Sequence, residues 1–242
     1  METAKRIVKN GIISKIHWTA GIIFAFALIA AALISSFEIA MYSDFDFYEK
    51  EYEKYDVLSE LDMTMEDTMH VTREMMSYLR GNKEELSVMT TVEGKYQDFF
   101  NEQDRFHMGE VQALFVGGLN IRTGACVAGL LCLIFLFISR ADIKRILARS
   151  YWIALGISAG AVAVIGIASL ADFNSVFVRF HHIFFDNDLW IFDPATDYMI
   201  RMLPEGLFYD FVMRIGGMFI GMLAVLFLLS ILPAVVSKIR KK

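Results

Sequence analysis

The chain has 242 residues, 56% of them hydrophobic, 14% aromatic and 21% charged, with a formal net charge of −5. A soluble domain of this length rarely carries so much apolar side chain, so the excess calls for a lipid solvent. Both cysteines, Cys126 and Cys132, fall in one apolar stretch, which excludes a disulfide framework, a zinc site of Cys ligands and a Cys nucleophile from the polar segments.

Residues 1–17 are basic, with Lys5, Arg6, Lys9 and Lys15 against Glu2. The uncharged stretch Trp18–Phe37 follows. It is too long for the apolar region of a cleaved signal peptide, and no clear small-residue cleavage pattern follows it, so it reads as an uncleaved span. Segment 38–113 opens with the acidic, Tyr-rich run Tyr42–Asp56. Helical spacing at Met65, Met69, Met76 and Leu79 predicts a helix capped by Asp62 or Thr64 and broken at Gly81–Asn82. The methionine stripe reads as core and not as a metal box. A second amphipathic helix is predicted from near Asn101, running without a break into the span Leu114–Ser139. Phe100, His107, Val111 and Leu114 share one of its faces, which points His107 toward protein about two turns ahead of the membrane entry.

Arg122 is the one charge in that span, about 12 Å along the helix from Leu114. A guanidinium at that depth is costly and marks a polar site. It could hold a lipid carbonyl or phosphate, pair with a carboxylate, or snorkel to the surface. After the short loop 140–150 comes the uncharged span Tyr151–Ala171. Segment 172–214 is polar in position yet rich in Phe and Trp. If 173–185 is helical, Phe173, Phe177, Phe180 and Phe184 line one face, with His181 flanking it on the buried side and His182 exposed. Asp186, Asn187 and Asp188 lack the spacing of a calcium loop and read as a capped turn. Asp193–Pro194 reads as an N-cap followed by Pro at a first helical position. Pro204–Glu205–Gly206 then leads to the last span, Ile215–Val236, and the basic tail 237–242.

Each span supplies the roughly 20 apolar residues needed to cross a hydrocarbon core of about 30 Å, and in lipid such stretches are helices. Segments 1–17 and 140–149 carry +3 each and the tail +4, whereas 38–113 carries −12 and 172–214 carries −4. Lys and Arg are retained inside, so both termini and the 140–150 loop are expected in the cytoplasm. The expected fold is therefore all-α: one membrane domain over 1–242 with four transmembrane helices, spans near 18–37, 114–139, 151–171 and 215–236. A helical extracytoplasmic region (38–113) and an interfacial amphipathic loop (172–214) complete it.

His107 and His181 come from distant parts of the chain, yet both fall at the outer headgroup level. Imidazole is the side chain suited to proton transfer near neutral pH. The plainer alternative is that each is a hydrogen-bonded interface histidine. No G-x-S-x-G elbow, Walker loop or H-E-x-x-H helix is present.

The block Val178–Tyr209, VRFHHIFFDNDLWIFDPATDYMIRMLPEGLFY, resembles a family of Gram-positive membrane proteins that includes the lipoprotein intramolecular transacylase. The family pattern reads F-H-x-I-F-F, a Trp, F-D-P-x-T-D, then L-P-E and an aromatic. The run His107–Met108–Gly109–Glu110–Val111 is similar to its H-x-x-D-V, with Glu110 in place of Asp. Phe47–Tyr55 and the turn Tyr78–Leu79–Arg80–Gly81 are weaker likenesses. The resemblance implies transfer of the sn-2 acyl chain of a diacylglyceryl lipoprotein to the amine of its own N-terminal cysteine. It implies His107 and His181 as the catalytic histidines; the chemistry of the transfer leads us to expect His181 as general base or nucleophile and His107 as partner acid or oxyanion donor. The expected partners are a diacylated lipoprotein and membrane lipid, with no nucleic acid, cofactor or metal. Phe184, Phe185 and Trp190 are expected to line an acyl groove, and Arg122 to assist with charge. The alternative function is a non-enzymatic membrane protein whose acidic 38–113 region senses or binds a partner.

Overall fold

The computed structural model describes residues 2–239, with side chains described from Ile13 to Leu232. The basic groups Lys5, Arg6 and Lys9 and the tail from Lys238 therefore lie outside the described side chains. The elements in order are α1 (Glu2–Tyr42), α2 (Asp46–Lys54), α3 (Val57–Leu61), α4 (Met65–Leu79), β1 (Met89–Val92), β2 (Lys95–Asp98), α5 (Glu102–Ile138), α6 (Ile143–Ala171), α7 (Phe173–Phe184), α8 (Tyr198–Met202) and α9 (Glu205–Ile239). Among the described residues four helices are long and apolar enough to cross a membrane: Ile13–Tyr42, Glu102–Ile138, Ile143–Ala171 and Glu205–Leu232. They exceed the expected spans because the helical periodicity continues into polar sequence at their ends. The 37 residues of α5 would reach about 55 Å, far more than the roughly 30 Å of hydrocarbon. Its polar first turns, residues 102–113, precede the apolar span that starts at Leu114.

The chain packs as two compact units. The first comprises the chain up to Phe37, Asn120–Ile165 and the chain from Gly216. Its small core joins Ala25 and Ile29 of α1 to Tyr151 and Ala154 of α6 and Phe219 and Leu223 of α9. Gly21 lets α1 approach α6 closely: a Cβ there would stand 2.5 Å from Ile146 Cγ2 and 2.7 Å from Ser150 Oγ. Tyr151 spends its hydroxyl on the Leu223 carbonyl at 2.7 Å, which satisfies a polar atom inside an apolar bundle. Phe137, Val164 and Ile157 face outward and are exposed, as a surface solvated by lipid requires.

The second unit comprises Glu38–Leu119 and Gly166–Ile215. Its core is larger and continuous, built on Tyr48, Tyr52, Leu61, Met69, Met76, Phe99, Phe100 and Met202. The acidic run folds as α2, whose tyrosines turn inward. Tyr52 is fully buried with its hydroxyl 2.7 Å from Thr72 Oγ1. Thr64, not Asp62, caps α4 by accepting the Asp67 N–H at 3.1 Å, and the predicted stripe Met69, Met76 and Leu79 is buried. Between α4 and α5 lies a feature absent from the expected helical picture, an antiparallel hairpin pairing Met89 with Asp98 through Val92 with Lys95. Its two-residue turn, Glu93–Gly94, has positive φ at both positions (50° and 72°), the twist that tight hairpins favour. Glu93 is held there by Arg201 at 2.8 Å.

At the start of α9, Gly206 abuts the Tyr55 ring so closely that a Cβ would collide with it. The ring cannot swing away, because its hydroxyl donates to Asp210 at 2.6 Å. Gly206→Ala is expected to cost about 1–3 kcal/mol by overpacking, read as a lowered thermal midpoint of the detergent-solubilised protein.

A histidine pair as the candidate active site

α5 begins with a reciprocal cap. Asn101 Oδ1 accepts the Asp104 N–H at 2.9 Å, and Asp104 Oδ2 accepts the Asn101 N–H at 3.0 Å, so two amides at the helix start are satisfied. Gln103 donates to the carbonyls of Leu189 and Ile191 at 3.0 and 3.1 Å. Asn101 Nδ2 donates to Asp197, whose other oxygen accepts the Asp193 N–H at 2.9 Å. These contacts fasten the first turn of α5 to the loop between α7 and α8, and so fix where His107 stands relative to that loop. Asp104 is fully buried, and burial raises its carboxyl to about 6.

α7 is started by Asp172, which accepts the Ser175 N–H at 3.0 Å. About two and a half turns later it delivers His181 to the inside and His182 to the outside, as the wheel predicted. The two expected histidines meet. The rings of His107 and His181 lie 5.9 Å apart between centroids and 28° from parallel, exposed by only 6% and 7%. Aromatic rings enclose them. Phe185 lies 4.8 Å from His107 and 5.4 Å from His181, Phe192 lies 5.5 Å from His107, and Trp190 lies 4.6 Å from His181.

Burial lowers the pKa of both rings. His107 falls to about 4, with the charge of its neighbour His181 a smaller cause. His181 is lowered mainly by burial, against an opposing hydrogen bond to the Phe177 carbonyl. Both are therefore neutral at pH 7. The Phe177 carbonyl stands 2.8 Å from His181 Nδ1 and can only accept, so Nδ1 carries the hydrogen and Nε2 keeps the lone pair. Trp190 Nε1 is buried without a partner.

Other expectations fare differently. Phe185 and Trp190 reach the histidines, but Phe184 is 51% exposed and packs on Phe180 at 4.7 Å. The face Phe173–Phe177–Phe180–Phe184 is thus not the buried one; the inward side of α7 runs through Phe177 and His181. Asp193–Pro194 does not open a helix. Asp193 Oδ1 accepts the Ala195 N–H at 2.9 Å in a turn, and α8 starts only after Asp197. Arg122 is half-buried within the first unit. Asn187, read as part of a capped turn, does accept the Leu189 N–H at 2.9 Å. Its other end reaches Glu110 at 2.8 Å, a contact sequence reasoning missed.

The chain matches the family model of lipoprotein intramolecular transacylase Lit over residues 22–208. A solved structure of the membrane-integral lipoprotein intramolecular transacylase Lit from Bacillus cereus is similar at 19% identity and a TM-score of 0.75, covering 95% of this chain and 100% of that one. Structures of a histidine-to-arginine and a histidine-to-alanine variant of that protein match with TM-scores of 0.71 and 0.70 at 18% and 17% identity. They cover 99% and 98% of this chain and 99% and 100% of theirs. Likeness at such identities speaks for the fold. No curated protein sequence matches the chain.

Proposed function

The chain belongs to the lipoprotein intramolecular transacylase family, and on that premise we propose how its own residues carry out the transfer. It is a multi-pass membrane acyltransferase acting on lipoproteins. The reaction moves the sn-2 acyl chain of the diacylglyceryl group to the α-amine of the substrate's N-terminal cysteine. The ammonium loses a proton, its nitrogen attacks the ester carbonyl, and the tetrahedral adduct gives up a second N–H proton. The bond to the sn-2 oxygen breaks and that oxygen takes up a proton, with one proton released overall. Amide and free hydroxyl replace ammonium and ester.

The substrate supplies its own nucleophile, so the protein needs no serine or cysteine elbow, and both reacting groups are already on one molecule. What remains is to take two protons from the nitrogen, return one to the sn-2 oxygen, and bear the charge of a tetrahedral oxyanion. The observation that carries the reading is a pair of neutral, buried imidazoles facing each other at 5.9 Å inside an aromatic enclosure. The free Nε2 of His181 can accept a hydrogen bond from the substrate amine, and His107 stands beside it as the second imidazole. The unpartnered N–H of Trp190 is a donor for the ester oxygen as negative charge grows there. Phe185, Phe192 and Trp190 keep out the water that would hydrolyse the ester instead. The distribution of Lys and Arg supports an active site on the outer face.

The product is an isomer of its substrate, so an intact mass cannot report the reaction. The test is fragment-ion mass spectrometry of a reporter lipoprotein from a host without this activity, with and without the chain. An N-acylated cysteine bearing a monoacylglyceryl group is expected. A reporter that keeps two glyceryl esters and a free amine would refute the proposal.

A further inference from the structure

One turn beyond His107 on α5 stands Glu110. Its two oxygens have different fates. Oε1 accepts from Asn187 Nδ2 at 2.8 Å. The Asn187 amide cannot be flipped, because its own oxygen already accepts the Leu189 N–H at 2.9 Å. Oε2 is buried without a partner and points toward His107 Nδ1, which is also buried without a partner, at 3.8 Å. Two complementary polar atoms left unpaired side by side are costly. A movement of about 1 Å would join them in a charge-assisted hydrogen bond.

We propose that Glu110 is the positioning residue of the pair: its carboxylate fixes the Nδ1–H tautomer of His107 and holds the imidazolium formed there during acyl transfer. The assignment rests on the transacylase reading and divides the work between the rings. His107 Nε2, freed by that tautomer, takes an N–H proton from the attacking amine nitrogen and gives it to the departing sn-2 oxygen, while the other ammonium proton is released to solvent. Glu110 tightens on Nδ1–H while the ring is charged, the part a buried carboxylate plays behind a catalytic histidine in hydrolytic triads. His181 has only a neutral carbonyl behind its Nδ1, so a charge there is less supported. A second imidazolium 5.9 Å from the first would be repelled. His181 stays neutral and orients the amine through its Nε2 lone pair.

Glu110→Gln separates this role from a structural one. Glutamine keeps an oxygen for Asn187 but presents an N–H to His107 Nδ1, forcing the hydrogen onto Nε2. The full-length protein in nanodiscs, labelled with ¹⁵N-histidine, reports the tautomer of His107, assigned by comparison with His107→Gln. Inversion of that tautomer is expected, with a loss of reporter turnover of about 10²-fold or more at unchanged expression. A His107 that keeps its Nδ1–H form in Glu110→Gln, or turnover within threefold of wild type, would overturn the assignment. Full activity in His107→Gln would instead refute catalysis by the pair, whatever the tautomer experiment shows about Glu110.

Discussion

His181→Ala is expected to abolish the N-acyl product, turnover falling by about 10²–10⁴-fold while the protein still inserts and accumulates. The ring is only 7% exposed and packs on Phe177 at 4.2 Å and Trp190 at 4.6 Å. Its removal therefore also leaves a cavity, and a loss of activity alone could be blamed on packing. His181→Gln fills most of the space without a titratable ring and should be as inactive as alanine. His107→Ala and His107→Gln should behave alike, because one ring cannot both carry the proton and orient the amine. The neighbouring His182 gives the contrast: it is exposed and touches Trp190 edge-on at 5.2 Å. His182→Ala should retain turnover within about threefold, the usual scale for a surface change. The measurement is the initial rate of N-acyl reporter formation at matched protein levels. Equal losses at positions 181 and 182 would show that the whole of α7 is sensitive and would remove the case for His181.

The inward direction of each histidine was legible because each lies on a helix whose apolar period fixes a direction: Phe100, His107 and Val111 on α5, and the inward side of α7. That the two rings meet was not, because helical period says nothing of which distant helix lies opposite. Local chemistry that competes with periodicity was harder to read. Thr90, Thr91 and Val92 before Glu93–Gly94 carry a hairpin signal, β-branched residues ahead of a turn ending in glycine. It was obscured by the strong helical patterns on either side. Asp193–Pro194 fits a helix start equally well as a turn; the choice fell to Asp197, whose carboxylate is drawn to Asn101 from 96 residues away. The exposed Phe180 and Phe184 misled the wheel, because aromatic content marks a buried face in water but not beside lipid. Glu110 could be seen in sequence as a departure from the family's Asp. Its bond to Asn187, 77 residues on, could not, since nothing local names the partner. The acidic character of 38–113 suggested a binding surface, yet its tyrosines and methionines are spent on the unit's own core.

Acidification is expected to stop the enzyme before it unfolds it. The activity limb follows the histidines: both must be neutral for one to accept a proton from the amine nitrogen, and both are held below the ordinary value of 6.5. Turnover should therefore persist below pH 6.5 and be lost on the way to about pH 4. Stability follows a balance of signs. For His107 the unfolded chain binds a proton below pH 6.5 that the folded chain refuses until about pH 4, so its contribution is lost as pH falls through that window. It amounts to at most about 3 kcal/mol. The smaller shift of His181 acts in the same direction. Asp104 runs the other way. Its carboxyl is raised to about 6 from 3.8, so between those values the folded chain binds the proton more tightly, and acid stabilises it by a similar amount. The two largely cancel, and the thermal midpoint in detergent should move little between pH 6.5 and 4.5 while the rate collapses. Asp104→Asn removes the opposing partner but keeps an oxygen for the Asn101 N–H, so this variant should lose stability steadily as the pH falls. If wild type and Asp104→Asn showed the same acid dependence of the midpoint, the buried carboxyl would not be the counterweight. The charge state of the histidine pocket would then need another account.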